Sequence, residues 1–473
     1  MTPDAPIFSA VELQDATGGV PLRGRSEWSC RGISTDTRTL SEGNLFIALS
    51  GENFDGHDCL AEAARKGAAG LIIRMDRTAT LGGATAGPPV IGVPDTLAAL
   101  GDIAHAWRRR FTAPVLAITG SAGKTTTKEM VLAIASRSRN VLFTEGNLNN
   151  LIGLPFTLLR MRPSHALAVV ELGTNRPGEI ARLAAIASPD IGLITNVGAA
   201  HLEGLGSIEA VREEKGALFA ALGKEGTAIL NGDDGHIGIL AARWPGKRIV
   251  YGLGPGAEVT AEKISPLGAA GVRFDLIFQG AATEIQLAIP GRHNVQNALA
   301  ATAASLALGF GRQEIVAGLA AFRPVPGRME IRPLANGAFL IMDAYNANPA
   351  SVREALLTLK TLRDEGRSIA VLGDMLELGP EAGRLHEEIG ALAAKTGVGT
   401  LFLKGELTRT TAAGAIRRGF PRERIVFFMD PETVVERLQG DLKKGDWILV
   451  KGSRKMKLEA VAEAIISAFD LRT

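Results

Sequence analysis

Residues 119–127 read Thr-Gly-Ser-Ala-Gly-Lys-Thr-Thr-Thr, a glycine-rich turn followed by a lysine and hydroxyl side chains. This combination is typical of a loop that binds phosphate groups. Gly120 and Gly123 lack a Cβ, so the backbone can curl tightly and bring its amides close to phosphate oxygens. The ammonium group of Lys124 could reach the outer phosphates, and the Thr125 hydroxyl could ligate Mg²⁺.

The sequence around this loop supports a phosphate-binding role. An apolar run at 114–119 predicts a buried strand, and the apolar spacing at 126–135 predicts a helix whose N-terminus favours anions. Ile118 stands where the usual motif has its first glycine, and the alternative is a plain glycine turn between a strand and a helix. The residues expected to contact the nucleotide are Gly120, Ser121, Ala122, Gly123, Lys124, Thr125 and Thr126.

Three further side chains could carry chemistry, and each has a plainer alternative. Glu171 ends the apolar run 166–171, where a carboxylate could bind Mg²⁺ or could be a solvated acid at a strand end. His201 could serve a site, although a lone histidine is more often structural. Lys215 follows two glutamates in a predicted helix, where a surface ion pair is the alternative.

Polar residues at helix starts and turns form a second set of candidates. Asn294 and Asn297 bracket the start of a predicted helix, where capping is the alternative to ligand binding. Arg328 lies in a Pro-Gly turn from which it could reach ATP phosphates. Asp343 ends a predicted strand. Asn346 and Asn348 precede a proline, and turn chemistry is the alternative for these two asparagines.

The elements that carry these candidates follow an α/β pattern of alternating strands and helices. We predict a small N-terminal α/β domain at 1–112, a central phosphate-loop ATPase domain with a mainly parallel sheet at 113–325, and a C-terminal Rossmann-like α/β domain at 326–473. Polar clusters follow the strands, at the edge where open α/β sheets bind ligands. Strands are predicted at 43–49, 115–119, 140–144, 166–172, 191–195, 227–230, 338–343, 368–373, 399–403, 424–428 and 446–450.

Composition limits the class of function. The 473 residues include 52 Lys plus Arg against 50 Asp plus Glu, and only 5% are aromatic, so nucleic acid is not indicated as a partner. Cys30 and Cys59 suit a reduced compartment rather than a disulfide framework. The most apolar run, 298–311, is shorter than the roughly 20 residues of a membrane span. Without a recognisable secretory leader, we expect a soluble, cytoplasmic protein. We also expect it to be a monomer.

Several of these segments together resemble the Mur ligases of bacterial cell-wall synthesis. The family's phosphate loop has the short form Thr-Gly-Ser-x-Gly-Lys-Thr-Thr, which accounts for Ile118. The segments at 146–150, 171–174, 196–201 and 291–297 look like the family's ATP and Mg²⁺ elements, and Lys215 falls on the family's modified lysine.

Two regions of the chain bear on the branch of the family. The segments 343–349 and 373–379, with His386, are similar to those of the branch that adds D-alanyl-D-alanine. The segments 34–38 and 55–58 resemble the uridine-nucleotide pocket, which another branch shares. Taken without the resemblance, the small polar residues of these last two segments suit a diphosphate site or ordinary turns.

The resemblance implies an ATP-dependent amide ligase of peptidoglycan precursor synthesis. It would join D-alanyl-D-alanine to UDP-N-acetylmuramoyl-tripeptide through an acyl phosphate, with Mg²⁺ as the metal. The implied catalytic residues are Lys124, His201, Lys215 and Arg328, and the implied metal ligands are Thr125, Glu171, His201 and Lys215. Beyond the loop, the implied ATP ligands are Asn147, Asn294, Asn297, Arg328 and Asp343. The implied substrate ligands are Ser34, Asp36, Thr37, Arg38, Asp55, His57, Asn149, Asn150, Tyr345, Asn346 and Asn348.

Lys215 is expected to act as a carbamate. An ammonium group would repel Mg²⁺, whereas CO₂ added to the neutral amine gives an anion with two oxygen ligands, which Mg²⁺ prefers. The alternative is an ordinary ammonium paired with Glu213 or Glu214.

Two other functions remain open at this point. One is a Mur-type ligase that adds a diamino acid or glutamate, although the D-[DN]-P-[NR]-like signature of the diamino-acid enzyme is not found in the third domain. The other is a non-ligase phosphate-loop NTPase that uses hydrolysis to change shape. Such a switch would not need two further domains with polar strand ends.

Overall fold

The computed structural model describes residues 5–81, 87–363 and 366–470. The chain divides into two compact units. The first comprises Met1–Ala117, Arg139–Gly173 and Ala181–Asp190, and the second comprises Ile118–Ser138, Thr174–Ile180 and Ile191–Thr473. Within the described ranges, no helix is long and apolar enough to cross a membrane. The first four residues, on which the expectation of no leader partly rests, lie outside the described residues.

The N-terminal part of the first unit contains a five-stranded sheet in the order β2-β7-β6-β5-β4 and a separate antiparallel pair of β1 and β3. The five-stranded sheet is parallel except where β2 meets β7. Its strands and helices are β1 Ile7–Ser9, α1 Ala10–Thr17, β2 Val20–Arg23, β3 Ser29–Arg31, β4 Ile33–Ser34, β5 Leu45–Ile47, α2 Leu60–Arg65, β6 Gly70–Arg74, β7 Val90–Val93 and α3 Thr96–Arg108.

The phosphate-loop strand is followed by a run of alternating helices and strands. These elements are β8 Val115–Thr119, α4 Lys124–Ala135, β9 Val141–Phe143, α5 Gly153–Leu159, β10 Leu167–Glu171 and α6 Glu179–Ala187. In the first unit, β9 and β10 pair in parallel, and the Ala168 amide donates to the Pro114 carbonyl, which places β10 beside the start of β8.

The second unit continues the central region with parallel strands β11 to β14 and an antiparallel set of β14, β15 and β16. The Thr195 amide donates to the Thr119 carbonyl, so the chain after β11 lies beside the end of β8. The elements are β11 Ile191–Ile194, α7 Leu202–Leu205, α8 Ile208–Ala220, β12 Thr227–Asn231, α9 Gly235–Ala241, β13 Lys247–Tyr251, β14 Val259–Pro266, β15 Val272–Phe278, β16 Ala281–Leu287, α10 Arg292–Ala307 and α11 Arg312–Ala321.

The C-terminal region of the second unit contains a six-stranded sheet in the order β17-β18-β22-β19-β20-β21. Only the edge strand β17 is antiparallel to its neighbour. Its elements are β17 Glu330–Pro333, β18 Phe339–Met342, α12 Pro349–Leu362, β19 Ser368–Gly373, α13 Ala382–Lys395, β20 Thr400–Lys404, α14 Thr408–Arg417, β21 Ile425–Phe427, α15 Pro431–Gln439, β22 Trp447–Lys451 and α16 Glu459–Asp470. Buried side chains such as Leu340, Val371 and Ile448 form its core.

The predicted α/β class with largely parallel sheets is confirmed, and the predicted strands from 115 onward lie within one residue of the observed ends. The strand predicted at 43–49 is too long, because it is only Leu45–Ile47. Gly43 has a φ of 84°, and the Asn44 side chain accepts from the Ser41 amide, so these two residues form a turn. The three domain boundaries stay a prediction.

Candidate nucleotide and metal site

The phosphate loop lies between the end of β8 and the start of α4, in the second unit. Gly120 has a φ of 148°, and a Cβ there would lie 1.9 Å from Thr195 Oγ1. Gly123 has a φ of 81° and caps α4, where a Cβ would lie 2.4 Å from Asn297 Oδ1. Both positions therefore require glycine, because any side chain would be strained and would also collide with a polar group.

The loop is fastened to the segment that follows β11. The Ser121 amide donates to the Asn196 carbonyl at 3.0 Å, and the Ala122 amide donates to Asn196 Oδ1 at 2.9 Å. The Thr195 hydroxyl donates to the Ala122 carbonyl at 2.6 Å. The motif predicted that the loop amides face phosphate oxygens. In this structure, the amides of Ser121 and Ala122 instead donate to Asn196. The N-terminus of α4 adds partial positive charge, which favours an anion at this end of the helix.

Lys124 begins α4, and its Nζ donates to the Gly120 carbonyl at 2.7 Å. This bond folds the lysine back over the loop. Thr125 and Thr126 follow it on the first turn and are both buried. The loop thereby presents one ammonium group and a helix N-terminus to a phosphate group.

His201 lies after β11 and caps the short helix α7 with a left-handed backbone. Its Nδ1 is 2.7 Å from Glu377 Oε2, on the loop after β19. The hydrogen bond from His201 lowers the pKa of the Glu377 carboxyl below its usual value. Sequence reasoning noted the segment that contains Glu377 but assigned this residue no role, because no local pattern connects it with His201.

Lys215 lies within α8 and is 1% exposed. Burial, together with the nearby Lys124 ammonium, lowers the pKa of Lys215 to about 7. Among the described residues Lys215 forms no ion pair, and Glu213 pairs instead with Arg212 and Arg243. The ordinary surface ion pair that the sequence left open is therefore not observed.

Glu214, the neighbour of Lys215, is also buried but serves a different purpose. Its carboxylate accepts hydrogen bonds from the Gly178 and Ile180 amides, each at 2.7 Å, and from the Thr174 hydroxyl at 3.2 Å. These bonds hold the N-terminus of α6 and fix the orientation of α8 beside it.

Two asparagines expected to bind ATP lie at the start of α10. Helix α10 is capped by Gly291 without a side-chain bond, so the capping alternative is wrong. Asn297 Nδ2 donates to Asn294 Oδ1 at 3.0 Å, and Asn294 Nδ2 donates to the Pro290 carbonyl at 2.7 Å. Together with the contact between Asn297 and the Gly123 position, this chain ties α10 to the phosphate loop.

The C-terminal region contributes a buried ion pair and a stacked arginine. Lys451 Nζ lies 2.6 Å from Asp343 Oδ2, and both side chains are largely buried. The guanidinium carbon of Arg328 lies 4.1 Å from the centre of the Tyr345 ring, within range of a cation–π interaction. Lys451 is a further residue that sequence reasoning left without a role, because it is 108 residues from Asp343 and no local spacing connects the two.

The Asn346–Asn348 segment mainly shows turn and cap chemistry. Asn346 Oδ1 accepts from the Ala347 amide, and Asn348 Oδ1 accepts from the Ser351 amide in a capping box at the start of α12. Asn348 Nδ2 also donates to the Ser121 carbonyl at 3.0 Å. Contact with a substrate stays a prediction for both residues.

In the first unit, the predicted residues near Glu171 form their own network. Asn149 Nδ2 donates to Glu171 Oε1 at 2.9 Å, and the Glu171 amide donates to the buried Thr144 hydroxyl. Asn150 Oδ1 accepts from the Ile152 and Gly153 amides. Asn147 is exposed in the same loop. Glu171 is 3% exposed, which argues against the solvated acid that the sequence left as the alternative.

The segments compared with a uridine pocket are ordered in the N-terminal part of the first unit. The Arg38 guanidinium lowers the pKa of Asp36 to about 2. The Thr37 hydroxyl donates to Glu62, and the Ser34 hydroxyl donates to the Asp36 carbonyl.

His57 in the same region is 3% exposed, with Nδ1 2.6 Å from Asp55 and Nε2 accepting from the Arg74 amide. Both ring nitrogens of His57 are thus used inside the protein. Its contact with a substrate, like that of Asp55, stays a prediction.

The second unit thus brings the phosphate loop together with Lys215, the asparagines of α10 and the start of α12. His201 lies in the same unit, where its side chain contacts Glu377. Among the described residues, no three His, Cys, Asp or Glu side chains cluster closely enough to hold a metal ion. The metal ligands named from the resemblance, Thr125, Glu171, His201 and Lys215, stay a prediction.

Three family models match the chain. They are described as "Mur ligase family, catalytic domain" at residues 29–108, "Mur ligase middle domain" at 118–305 and "Mur ligase, glutamate ligase domain" at 327–454. Each match falls inside one of the three domains predicted from the sequence.

Individual proteins are similar over nearly the whole length. The chain is 38% identical to the UDP-N-acetylmuramoyl-tripeptide--D-alanyl-D-alanine ligase of Escherichia coli, over 92% of this chain and 93% of the relative. The structure is similar to the crystal structure of MurF from Acinetobacter baumannii, with a TM-score of 0.87 and 31% sequence identity. The similarity covers 98% of this chain and 100% of that chain. MurF of Thermotoga maritima, in complex with ADP, has a TM-score of 0.82 and 27% identity, covering 93% and 98%. With family models along its length and a relative this similar, the chain belongs to the Mur ligase family.

Proposed function

We propose that the protein is an ATP-dependent amide ligase that joins D-alanyl-D-alanine to UDP-N-acetylmuramoyl-tripeptide in peptidoglycan precursor synthesis. The observation that carries the proposal is the similarity to the Escherichia coli tripeptide–dipeptide ligase over 92% of this chain. The ADP complex of the Thermotoga maritima relative supports ATP as the nucleotide. Both substrates are small molecules, and we expect the enzyme to act in the cytoplasm as a monomer.

The proposed reaction has two steps. The free carboxylate of the tripeptide attacks the γ-phosphate of ATP and gives an acyl phosphate and ADP. The amine of D-alanyl-D-alanine then attacks the acyl carbon, and phosphate leaves. Because carboxylate and γ-phosphate are both anions, the enzyme must mainly neutralise charge and align the reactants.

The residues of the second unit suit this task. Lys124 supplies a positive charge at the phosphate loop, and the N-terminus of α4 adds partial positive charge. Asn297 would hold adenine, and Asn294, which accepts a hydrogen bond from Asn297, would also contact ATP. Arg328, which lies against Tyr345, would reach the phosphates. Asp343, which pairs with Lys451 in this structure, would also contact ATP.

The residues proposed as metal ligands suit a magnesium ion bound with the nucleotide. The Thr125 hydroxyl and the Glu171 carboxylate are oxygen ligands of the kind that Mg²⁺ prefers. When bound, Mg²⁺ would neutralise charge on the phosphates. The side chains of Thr125 and His201 would then position the nucleotide, and His201 would offer the nitrogen that Glu377 leaves unused.

A carbamate on Lys215 is the finer part of the proposal. CO₂ adds only to a neutral amine, and Lys215 is buried without an ion-pair partner among the described residues. Its pKa of about 7 leaves a large neutral fraction near neutral pH. Addition of CO₂ with loss of a proton gives an anion beside the Lys124 ammonium, which stabilises it.

The dipeptide and the uridine nucleotide would contact different parts of the chain. Tyr345, Asn346 and Asn348 are proposed to meet D-alanyl-D-alanine at the start of α12. The N-terminal residues are proposed to meet the UDP-linked substrate, namely Ser34, Asp36, Thr37, Arg38, Asp55, His57, Asn149 and Asn150.

The proposal is tested by supplying UDP-N-acetylmuramoyl-tripeptide and ATP with a panel of amines, while phosphate and peptide product are both measured. We expect phosphate release and new amide only with D-alanyl-D-alanine. Product with a diamino acid or glutamate would identify another ligase of the family. Phosphate release that stays high without an amine would identify an NTPase instead.

A further inference from the structure

We propose that Glu377 is a positioning residue for His201, orienting its imidazole so that Nε2 serves the metal and nucleotide site. The inference rests on the proposed function, which places His201 at that site. It adds to that function a residue on the loop after β19, outside the central region that carries the phosphate loop.

The first support is the geometry of the two side chains. Glu377 Oε2 lies 2.7 Å from His201 Nδ1, and the two side chains are 43% and 20% exposed. A carboxylate can only accept, so Nδ1 carries the proton and Nε2 keeps its lone pair in the neutral ring. Carboxylates commonly hold metal-binding histidines in this way and thereby fix both tautomer and ring direction.

The second support is the backbone at both residues. His201 has a φ of 57° and Glu377 has a φ of 64°, in the left-handed region that residues with side chains seldom adopt. Such conformations persist only where surrounding contacts over-determine them, and they concentrate at functional sites. A surface ion pair would not require an unfavourable backbone conformation at both of its residues.

The third support is the rigid attachment of the carboxylate. The Glu203 amide donates to the Glu377 carbonyl at 3.0 Å, directly beside the side-chain contact. The preceding amides are also held, since Leu376 donates to Ser453 Oγ at 2.9 Å and Met375 donates to His386 Nε2 at 3.0 Å. Hydrogen bonds thus hold the backbone of Glu377 and of the two residues before it, so the carboxylate can define where the imidazole points.

Metal affinity provides the first test, with Mn²⁺ as the probe. Mn²⁺ is titrated by electron paramagnetic resonance in the presence of a non-hydrolysable ATP analogue. We expect Glu377→Ala to weaken Mn²⁺ binding roughly tenfold to a hundredfold, and Glu377→Gln, which keeps a neutral acceptor, to weaken it less. Glu381→Ala is the matched control, because Glu381 is exposed, pairs with Arg384 and lies close in sequence; it should bind Mn²⁺ like the wild type.

The tautomer of His201 provides a second test that needs no metal. Nitrogen NMR of protein with labelled histidine reports which ring nitrogen is protonated, and His201→Ala identifies the signal. We expect the Nδ1–H form in the wild type and in Glu377→Gln, and a mixture in Glu377→Ala. A mixture in the wild type would overturn the proposal.

The outcomes separate this inference from the function on which it rests. If His201→Ala weakens Mn²⁺ binding while Glu377→Ala does not, the contact between Glu377 and His201 is only structural. That outcome would overturn the proposal. If His201→Ala also leaves Mn²⁺ binding unchanged, the placement of His201 at the metal fails. The tautomer spectra then decide whether Glu377 orients the ring. Should Glu377→Ala unfold at a lower temperature, Mn²⁺ binding by Glu377→Gln decides the first test, where unchanged binding would overturn the proposal. The tautomer of the wild type then decides the second test.

Discussion

The side-chain amide of Asn348 donates a hydrogen bond of 3.0 Å to the backbone carbonyl of Ser121. The same side chain caps α12 through Oδ1, which accepts from the Ser351 amide at 2.9 Å. One residue thus connects the phosphate loop with the helix proposed to receive the dipeptide. Its two atoms have separate tasks, so they can be tested separately.

Asn348→Asp should weaken ATP binding while leaving the fold stable. Aspartate keeps the capping oxygen but replaces the donor to Ser121 with an acceptor, so the phosphate loop loses this attachment while α12 keeps its cap. Asn348→Ala should additionally lose about 0.5–2 kcal/mol of stability, because the cap is removed. Calorimetry with an ATP analogue and thermal unfolding measure the two effects. If Asn348→Asp binds ATP normally and only the dipeptide more weakly, Asn348 is a dipeptide ligand and the link to Ser121 has no role in nucleotide binding.

Lys124→Ala should abolish ligation without disturbing the fold. The change removes the ammonium group that lies over the phosphate loop, and removal of one such electrostatic group typically lowers the rate constant about a hundredfold or more. Ligation is measured as peptide product, and circular dichroism reports the fold. Lys224→Ala serves as the control, because Lys224 is an exposed lysine outside the site. Near-normal turnover of Lys124→Ala would contradict the phosphate-loop assignment.

Lys215→Met should stabilise α8 most strongly at or below pH 7. Burial lowers the pKa of Lys215 from 10.5 to about 7, so between these values the unfolded state binds more protons than the folded state. The free energy of opening the wild-type helix therefore rises with pH across this window, with a slope of up to about 1.4 kcal/mol per pH unit. Methionine does not titrate, so the advantage of the variant should shrink as pH approaches 10.5.

Hydrogen exchange of the α8 amides in CO₂-free buffer measures this opening free energy for both proteins. A difference between the two proteins that stays constant with pH would contradict the lowered pKa.

With bicarbonate present, Lys215→Ala should lose ligation, and short carboxylic acids should restore part of it by occupying the place of the carbamate. Full activity of Lys215→Ala would rule out the carbamate.

Tyr345→Leu should weaken ATP binding, whereas Tyr345→Phe should not. Leucine removes the aromatic face beneath the Arg328 guanidinium, which lies 4.1 Å from the ring centre, and such an interaction is worth about 0.5–2 kcal/mol. Phenylalanine keeps that face and is the matched control. Calorimetry with an ATP analogue measures the effect. If Tyr345→Leu changes only the affinity for D-alanyl-D-alanine, Tyr345 contacts the dipeptide and does not hold Arg328 for ATP.

Local sequence determined the elements of the central and C-terminal sheets. Strands such as β8 and β19 are short apolar runs bounded by polar or glycine residues, and this pattern depends only on neighbours in the chain. The phosphate loop was predictable for the same reason, since strand, glycines, lysine and helix are contiguous. Gly43 and Asn44 show the limit of prediction from local sequence. The strand predicted at 43–49 begins only at Leu45, because Gly43 and Asn44 form a turn.

Tertiary structure alone decided the contacts that organise the site. His201 and Glu377 are 176 residues apart, and Ser121 and Asn348 are 227 residues apart, so no local spacing could pair them. Glu214 and Lys215 looked alike as charged residues on one helix, yet the fold placed one against the N-terminus of α6 and buried the other without an ion-pair partner among the described residues. Sequence gives the identity of a charged group, whereas burial and long-range neighbours set its partners and its pKa, because both depend on what the fold packs around it.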